Sequence, residues 1–432
     1  MIRRILFAPL LLVVFAALGA TASAAPTGEV ALERYRVALE ERRLSIDNQG
    51  VAFTTIDGTP LLSYNVDCFF NPASVVKLAT SEVALDRLGP DYQFPTAFFT
   101  NGGLDLTTGE LYGDLIVVGS GDPSFTTESV FYIARELRAR GIRRVKGNIV
   151  VKGQLYSNYS MNREAAGQTI KAALDVETWN GGIERAFGRY QVITRQATFE
   201  SVAVEGSVVT ANDLSVNGLT PLFTVRSMPL VKILKQLNNY SNNWIAHVIG
   251  SKVGGAPYVA RTLTQRLGLA PGDVVFGTTS GLGNNGMRPK DVILLLRQLD
   301  ERLRRVSSSP VDIMPVAGRD PGTLEERYLL PGFNGAVVAK TGTLRSVSAL
   351  AGYMYTRDKG VVLFSIMNRG GAPATFRKLQ DYLVKEMFEA CGGPAPLAYR
   401  RPFGYGHLAG VSIERATGSI PEAPQVAMEG VN

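Results

Sequence analysis

Ser74 and Lys77, three residues apart, set a chemical problem that the rest of the chain has to solve. On a helix such residues are neighbours, so the lysine amine reaches the serine hydroxyl. In the stretch Asn71-Pro72-Ala73-Ser74-Val75-Val76-Lys77, Asn71 suits an N-cap and Pro72 the first helical position. That puts Ser74 in the first turn, at the positive end of the helix dipole. Val75, Val76, Leu78, Val83, Ala84, Leu85 and Leu88 give the helix an apolar surface that buries it. Burial opposes the lysine's charge, and a neutral amine can act as a base toward the serine. Lowering an amine pKa by about 3 units costs roughly 4 kcal/mol, so burial and a second cation nearby are both called for.

Two other short patterns could complete a site. Lys340-Thr341-Gly342 occurs once, at the end of a strand pattern. Ser-x-Asn occurs at Ser241–Asn243, Ser160–Asn162 and Ser215–Asn217. Context selects Ser241 and Asn243, because an amphipathic helix precedes them and an apolar one follows, which makes a tight connection. In such a site Ser74 attacks a carbonyl to form an acyl-enzyme and Lys77 takes its proton. Lys340 supplies the second cation and, with Thr341, binds a substrate carboxylate. Ser241 relays a proton between Lys77 and the leaving group, and Asn243 hydrogen-bonds Lys77 and the substrate amide. Gly342 leaves room for a substrate backbone along the strand edge. The backbone N–H groups of Ser74 and Thr343 form an oxyanion hole. Each residue alone has an ordinary structural reading; the three patterns in this order, behind a secretion signal, point to catalysis. His247 and His407 are the only histidines and read as structural, and Cys68 and Cys391 are the only cysteines. Neither a His-based triad, a metal site nor a cofactor is expected, and pairing of the two cysteines stays open.

The elements that must position these residues follow from patterning. Residues 1–24 read as a signal peptide: basic Arg3 and Arg4, an apolar run from Ile5 to Ala20, and Ala22-Ser23-Ala24 for cleavage. The mature chain then works outside the cytoplasm, in the periplasm. Glu29–Arg43 reads as a helix, followed by two paired strands around the turn Asp57-Gly58-Thr59-Pro60. Residues 93–224 change character and read as a β-rich insert. It has strands near 94–99, 113–118 and 147–151, one helix at Glu128–Gly141, an unplaced stretch over 153–190, and further strands over 191–210. Residues 25–92 and 225–395 form the catalytic domain, with helices at 230–237, 244–253 and 290–306. Three antiparallel strands follow, at 335–341, 348–356 and 360–368, then a closing helix at 376–390. Residues 396–432 read as a loose tail. The net charge of +7 falls to +5 once Arg3 and Arg4 leave with the signal. That excess reads as solubility, or as a weak membrane-surface attraction to lipid headgroups or anionic envelope polymers. No basic block carries interleaved aromatics, so nucleic acid is not an expected partner.

The three-part set is shared by penicillin-binding proteins and class A β-lactamases. Pro72–Thr80 followed by Leu88-Gly89-Pro90-Asp91-Tyr92 resembles the low-molecular-mass class C penicillin-binding proteins, the D-alanyl-D-alanine carboxypeptidase/endopeptidase family. So do Gly113-Asp114-Leu115, Gly121-Asp122-Pro123, Ser280-Gly281-Leu282, Gly322-Thr323-Leu324, Lys340-Thr341-Gly342-Thr343-Leu344 and Leu350-Ala351-Gly352-Tyr353. The resemblance implies an α/β (α+β) penicillin-recognising fold like that of serine transpeptidases and β-lactamases, an antiparallel sheet flanked by helices with an inserted domain. It implies cleavage of the terminal D-Ala of peptidoglycan peptides, cleavage of D-Ala-diaminopimelate cross-links, and acylation by β-lactam antibiotics. The insert is shorter than that family's. Lys152 stands where the family often has an aspartate, and the family's Ala-Pro and Ser-Ala-Leu landmarks are not recognisable in residues 155–210. Two rival classes share the motifs: a β-lactamase, for which no deacylating glutamate is marked, and a decayed envelope protein that binds muropeptide or a partner.

Overall fold

The computed structural model describes residues 27–399 and 410–415. The expected leader, most of the expected loose tail and His407 lie outside them. Helix α1 (Gly28–Glu40) is capped by Thr27 and ends before the expected Arg43. The strands Gln49–Thr55 and Pro60–Tyr64 then form the expected hairpin. A 3-10 turn, Ala73–Val75, leads into α2 (Val76–Leu88).

The insert follows. Strands Pro95–Thr100 and Leu115–Ser120 precede α3 (Thr127–Ala139), and strand Ile149–Gln154 precedes α4 (Arg163–Leu174) and α5 (Gly181–Thr194). Strands Val208–Thr210 and Thr220–Arg226 lead back to α6 (Leu230–Tyr240), α7 (Asn243–Lys252), α8 (Gly255–Arg266) and α9 (Pro289–Arg305). Strands Val337–Leu344, Val347–Thr356 and Gly360–Arg369 precede α10 (Pro373–Ala390).

The sheet that carries Lys340 has five antiparallel strands, and Val337–Leu344 is its edge. Its two faces are covered separately, which makes a helix–sheet–helix sandwich. On one face Tyr35 and Leu39 of α1 and Phe376 and Leu383 of α10 pack with Phe53 and Phe364. On the other face Val76 and Val83 of α2 and Leu295 and Leu296 of α9 lie in one cluster with Tyr353 and Met367. Helix α2 runs through that core, and every residue from Val76 to Leu85 is buried. Its buried Glu82 is held by Arg266 and Arg302 at 3.1 and 2.8 Å, so the core carries no unpaired carboxylate there.

Three expectations need correction. Residues 163–194, left unplaced or read as strand at their end, are two helices. Ile183, Ala186 and Tyr190 of α5 face inward at helical spacing, while three glycines and a highly exposed Val192 mask the pattern. Over the remainder of 191–210 only Ala203–Val204 and Val208–Thr210 are strands. Third, part of the expected loose tail is ordered: Ser412–Arg415 pairs antiparallel with Thr220–Arg226 and closes the edge of the insert's six-stranded sheet. Cys68 is exposed and Cys391 buried, and both are free thiols.

Candidate active site

Ser74 does not sit where capping rules alone would place it. Asn71 stands one residue ahead of the N-cap, Pro72; its Oδ1 accepts from Ala73 N–H, at the start of the 3-10 turn, at 2.9 Å and its Nδ2 donates to the Gly283 carbonyl at 3.0 Å. This turn forces Ala73 to φ +47°, a left-handed conformation that costs a non-glycine residue of order 1–3 kcal/mol. Ser74 therefore lies in the 3-10 turn ahead of α2, and Lys77 is the second residue of α2 itself.

The surrounding loops lock that turn. Gly281 has φ +85°, and a Cβ there would meet the Ala73 carbonyl oxygen at 2.0 Å. Gly281→Ala is thus expected to destabilise the fold by about 3 kcal/mol, through backbone strain and steric displacement together. A thermal melt checks this, and an unchanged midpoint would show that the turn can shift freely. Gly342 serves the same docking: its absent Cβ would lie 2.5 Å from the Pro72 carbonyl oxygen. The sequence reading gave that space to a substrate; in the fold it lets the edge strand approach the serine turn.

Lys77 is wholly buried. Its Nζ donates to Ser74 Oγ at 2.8 Å, to Asn243 Oδ1 at 2.8 Å and to the Ser280 carbonyl at 2.6 Å. Burial brings its pKa down to about 7, so a large neutral fraction exists near neutrality. Lys340 is also wholly buried, and donates to Ser241 Oγ at 2.9 Å and to the Thr341 carbonyl at 2.7 Å. Burial, then the charge of Lys77, holds its pKa well below the usual amine range.

Ser241 and Asn243 belong to the junction of two helices. Ser241 ends α6 in a left-handed conformation, Asn242 caps α7 by accepting from Ile245 N–H at 3.0 Å, and Asn243 opens α7. The corner is anchored by Lys235 of α6, which pairs with Asp320 at 2.6 Å. Thus Ser74, Lys77 and Asn243 are joined directly by hydrogen bonds. Lys340 and Ser241 form a second joined pair, and Lys340 senses the charge of Lys77. Thr341 is half-buried, Thr343 is exposed, and both lie on the edge strand. Sequence reasoning missed the Ser280 carbonyl as a partner of Lys77. A backbone acceptor leaves no residue-type signal, and only the Ser280-Gly281 pair hinted at it.

Such an arrangement can move a proton from a hydroxyl to a buried amine and present the hydrogen-bond donors of an edge strand to an extended chain. The model of the D-Ala-D-Ala carboxypeptidase 3 (S13) family matches residues 33–174 and 183–387. The chain is 26% identical to the D-alanyl-D-alanine carboxypeptidase of Actinomadura sp., over 80% of this chain and 82% of the relative. It is 24% identical to D-alanyl-D-alanine carboxypeptidase DacB of Haemophilus influenzae, over 68% and 79% respectively. Among solved structures, a predatory peptidoglycan endopeptidase from Bdellovibrio bacteriovorus superposes with a TM-score of 0.69 at 20% identity, over 84% of this chain and 98% of that one. Penicillin binding protein 4 from Haemophilus influenzae gives 0.62 at 19% identity, over 82% and 99%.

Proposed function

The chain belongs to the D-Ala-D-Ala carboxypeptidase 3 (S13) family of serine peptidases acting on peptidoglycan, and from that premise we propose that it cleaves stem peptides through an acyl-enzyme on Ser74. Neutral Lys77 takes the Ser74 Oγ proton as the oxygen attacks the carbonyl of the penultimate D-Ala. The oxyanion is received by the N–H groups of Ser74 and Thr343 on the edge strand. The proton passes through Ser241 to the departing amine, which leaves as D-Ala or, in a cross-linked peptide, as the D-amino end of diaminopimelate. Water then attacks the acyl carbon, giving a proton to Lys77; Lys77 passes it to Ser74 Oγ as the ester bond breaks, which releases the peptide acid and restores the serine and the neutral amine. The incoming terminal carboxylate favours the protonated form of Lys340, which with Thr341 binds it, and Asn243 holds Lys77 and the acyl amide. A β-lactam enters the same path and stays on Ser74. The protein works outside the cytoplasm after loss of residues 1–24; no described helix is long and apolar enough to cross a membrane.

The reading rests chiefly on one observation, a fully buried lysine amine 2.8 Å from the Ser74 hydroxyl with its pKa brought to about 7. A lowered lysine pKa means the amine is neutral above that value, so acylation should rise with pH. Labelling by a fluorescent penicillin should accelerate about tenfold between pH 6 and pH 8. The label should persist, and digestion of purified sacculi should release D-Ala or separate cross-linked muropeptides. Absence of label, or a rate that falls across this interval, would overturn the reading. Rapid loss of the label would identify a β-lactamase instead.

A further inference from the structure

Tyr399 belongs to the chain end that composition marks as loose, yet it reaches a buried ion pair behind the Ser241 corner. Its hydroxyl donates to Asp320 Oδ1 at 2.8 Å, and its ring centre lies 5.2 Å from Lys235 Nζ. Asp320 is wholly buried; its other oxygen accepts from Lys235 at 2.6 Å and from Val316 N–H at 2.8 Å. Lys235 also donates to the carbonyls of Val311 and Met314 at 2.7 and 2.5 Å. Backbone bonds bring Tyr399 to this place: Ala395 N–H donates to the Tyr355 carbonyl and Leu397 N–H to the Gly335 carbonyl. Further on, the chain meets α6 again, where a Cβ on Gly410 would come within 3.0 Å of Pro229 Cδ.

Both partners of the Lys340–Ser241 hydrogen bond are held through this ion pair. Lys235 is part of α6, whose C-cap is Ser241. Asp320 fixes the segment 315–317, which pairs with the strand that carries Lys340. There Ala339 N–H donates to the Pro315 carbonyl at 3.2 Å and Ala317 N–H to the Val337 carbonyl at 2.9 Å. Beyond Asp320, Thr323 N–H donates to the Asn239 carbonyl at 2.9 Å, in the last turn of α6. A hydrogen bond to a buried carboxylate is among the strong ones, so losing the Tyr399 hydroxyl changes how Asp320 is held. Helix end and edge strand then shift against each other.

We propose that Tyr399 is a positioning residue: by completing the set of donors around Asp320, it keeps Ser241 and Lys340 at their working distance. The docked chain end thus tunes the steps that those two residues serve. The inference rests on the reaction proposed above, in which Lys340 binds the terminal carboxylate and Ser241 passes a proton to the leaving amine.

Two substrates of the full mature chain test it. One is a synthetic peptide ending in D-Ala-D-Ala; the other is the same peptide with its last D-Ala replaced by ethanethiol, as a thioester. The thioester has no terminal carboxylate, and its sulfur leaves as a thiolate that needs no proton. It therefore calls on Ser74, Lys77 and Asn243 but on neither service of the Lys340–Ser241 pair. Tyr399→Ala should lower kcat/KM for the D-Ala-D-Ala peptide about tenfold. Tyr399→Phe, which keeps the ring over Lys235, should lower it about threefold. Both should change the thioester value by less than about twofold, which also shows that the variants are folded. An equal loss on both substrates, or no loss on either, would overturn the inference and leave the reading of Ser74 intact. Thioester cleavage that persists in Ser74→Ala would overturn that reading, and the inference with it.

Discussion

Ser74→Ala is expected to lower D-Ala release from peptides by about 10^4-fold or more, and to abolish the mass increase that penicillin leaves on the protein. The size follows from the covalent step: without Oγ no acyl-enzyme forms, and only binding and the oxyanion donors remain. The fold should be nearly unaffected. Ser74 is half-buried, and its Oγ contributes one short hydrogen bond, from Lys77, besides a 3.4 Å contact to the Ser280 carbonyl. Lys77 keeps Asn243 and Ser280 as partners, so its amine is not orphaned. The melting temperature should move by no more than about 2 °C. Intact-protein mass spectrometry and a D-Ala release assay check both parts. A residual activity within about a hundredfold of wild type would show that another group attacks the carbonyl.

What could be read from the sequence was the part written in side-chain chemistry. Ser74 with Lys77 is a local pattern on one helix, and Lys340 ends an alternating strand. Ser241 was separable from the two other Ser-x-Asn matches because the amphipathic pattern of α6 runs straight into it. The five-stranded sheet was legible for a similar reason: its last three strands are long, apolar and consecutive. What stayed hidden depends on contacts distant in sequence. The Ser280 carbonyl reaches Lys77 only because the loop after α8 folds onto the serine turn, and any residue type could supply that oxygen. Gly342 read as substrate room because the approach of Pro72 is tertiary. Helices α4 and α5 bury small residues such as Ala166, Ala173 and Ala186, which give a weak hydrophobic signal. The strand at Ser412–Arg415 is short and polar, and exists because the Thr220–Arg226 edge offers a pairing surface.

Lys77→Met should separate stability from catalysis. Methionine fills much of the same channel without a charge, so acylation by penicillin should fall by about 10^3-fold or more with the base removed. Stability should change in a way that depends on pH. The amine's pKa is brought from 10.5 to about 7 in the folded protein by burial. Between those values the unfolded chain binds a proton that the folded chain does not, so wild-type stability rises with pH across this window. Below about pH 7 the folded protein carries the whole burial cost, of order 4 kcal/mol. Methionine removes that cost, but leaves Asn243 Oδ1 and the Ser280 carbonyl without their donor, which gives back about 1–3 kcal/mol. The variant should therefore be more stable than wild type by about 1–3 kcal/mol near pH 6 and less stable near pH 10. Denaturant titrations at the two pH values test this. A difference that keeps one sign throughout would mean that Lys77 titrates near its ordinary value, and that the amine beside Ser74 is charged when the reaction needs it neutral.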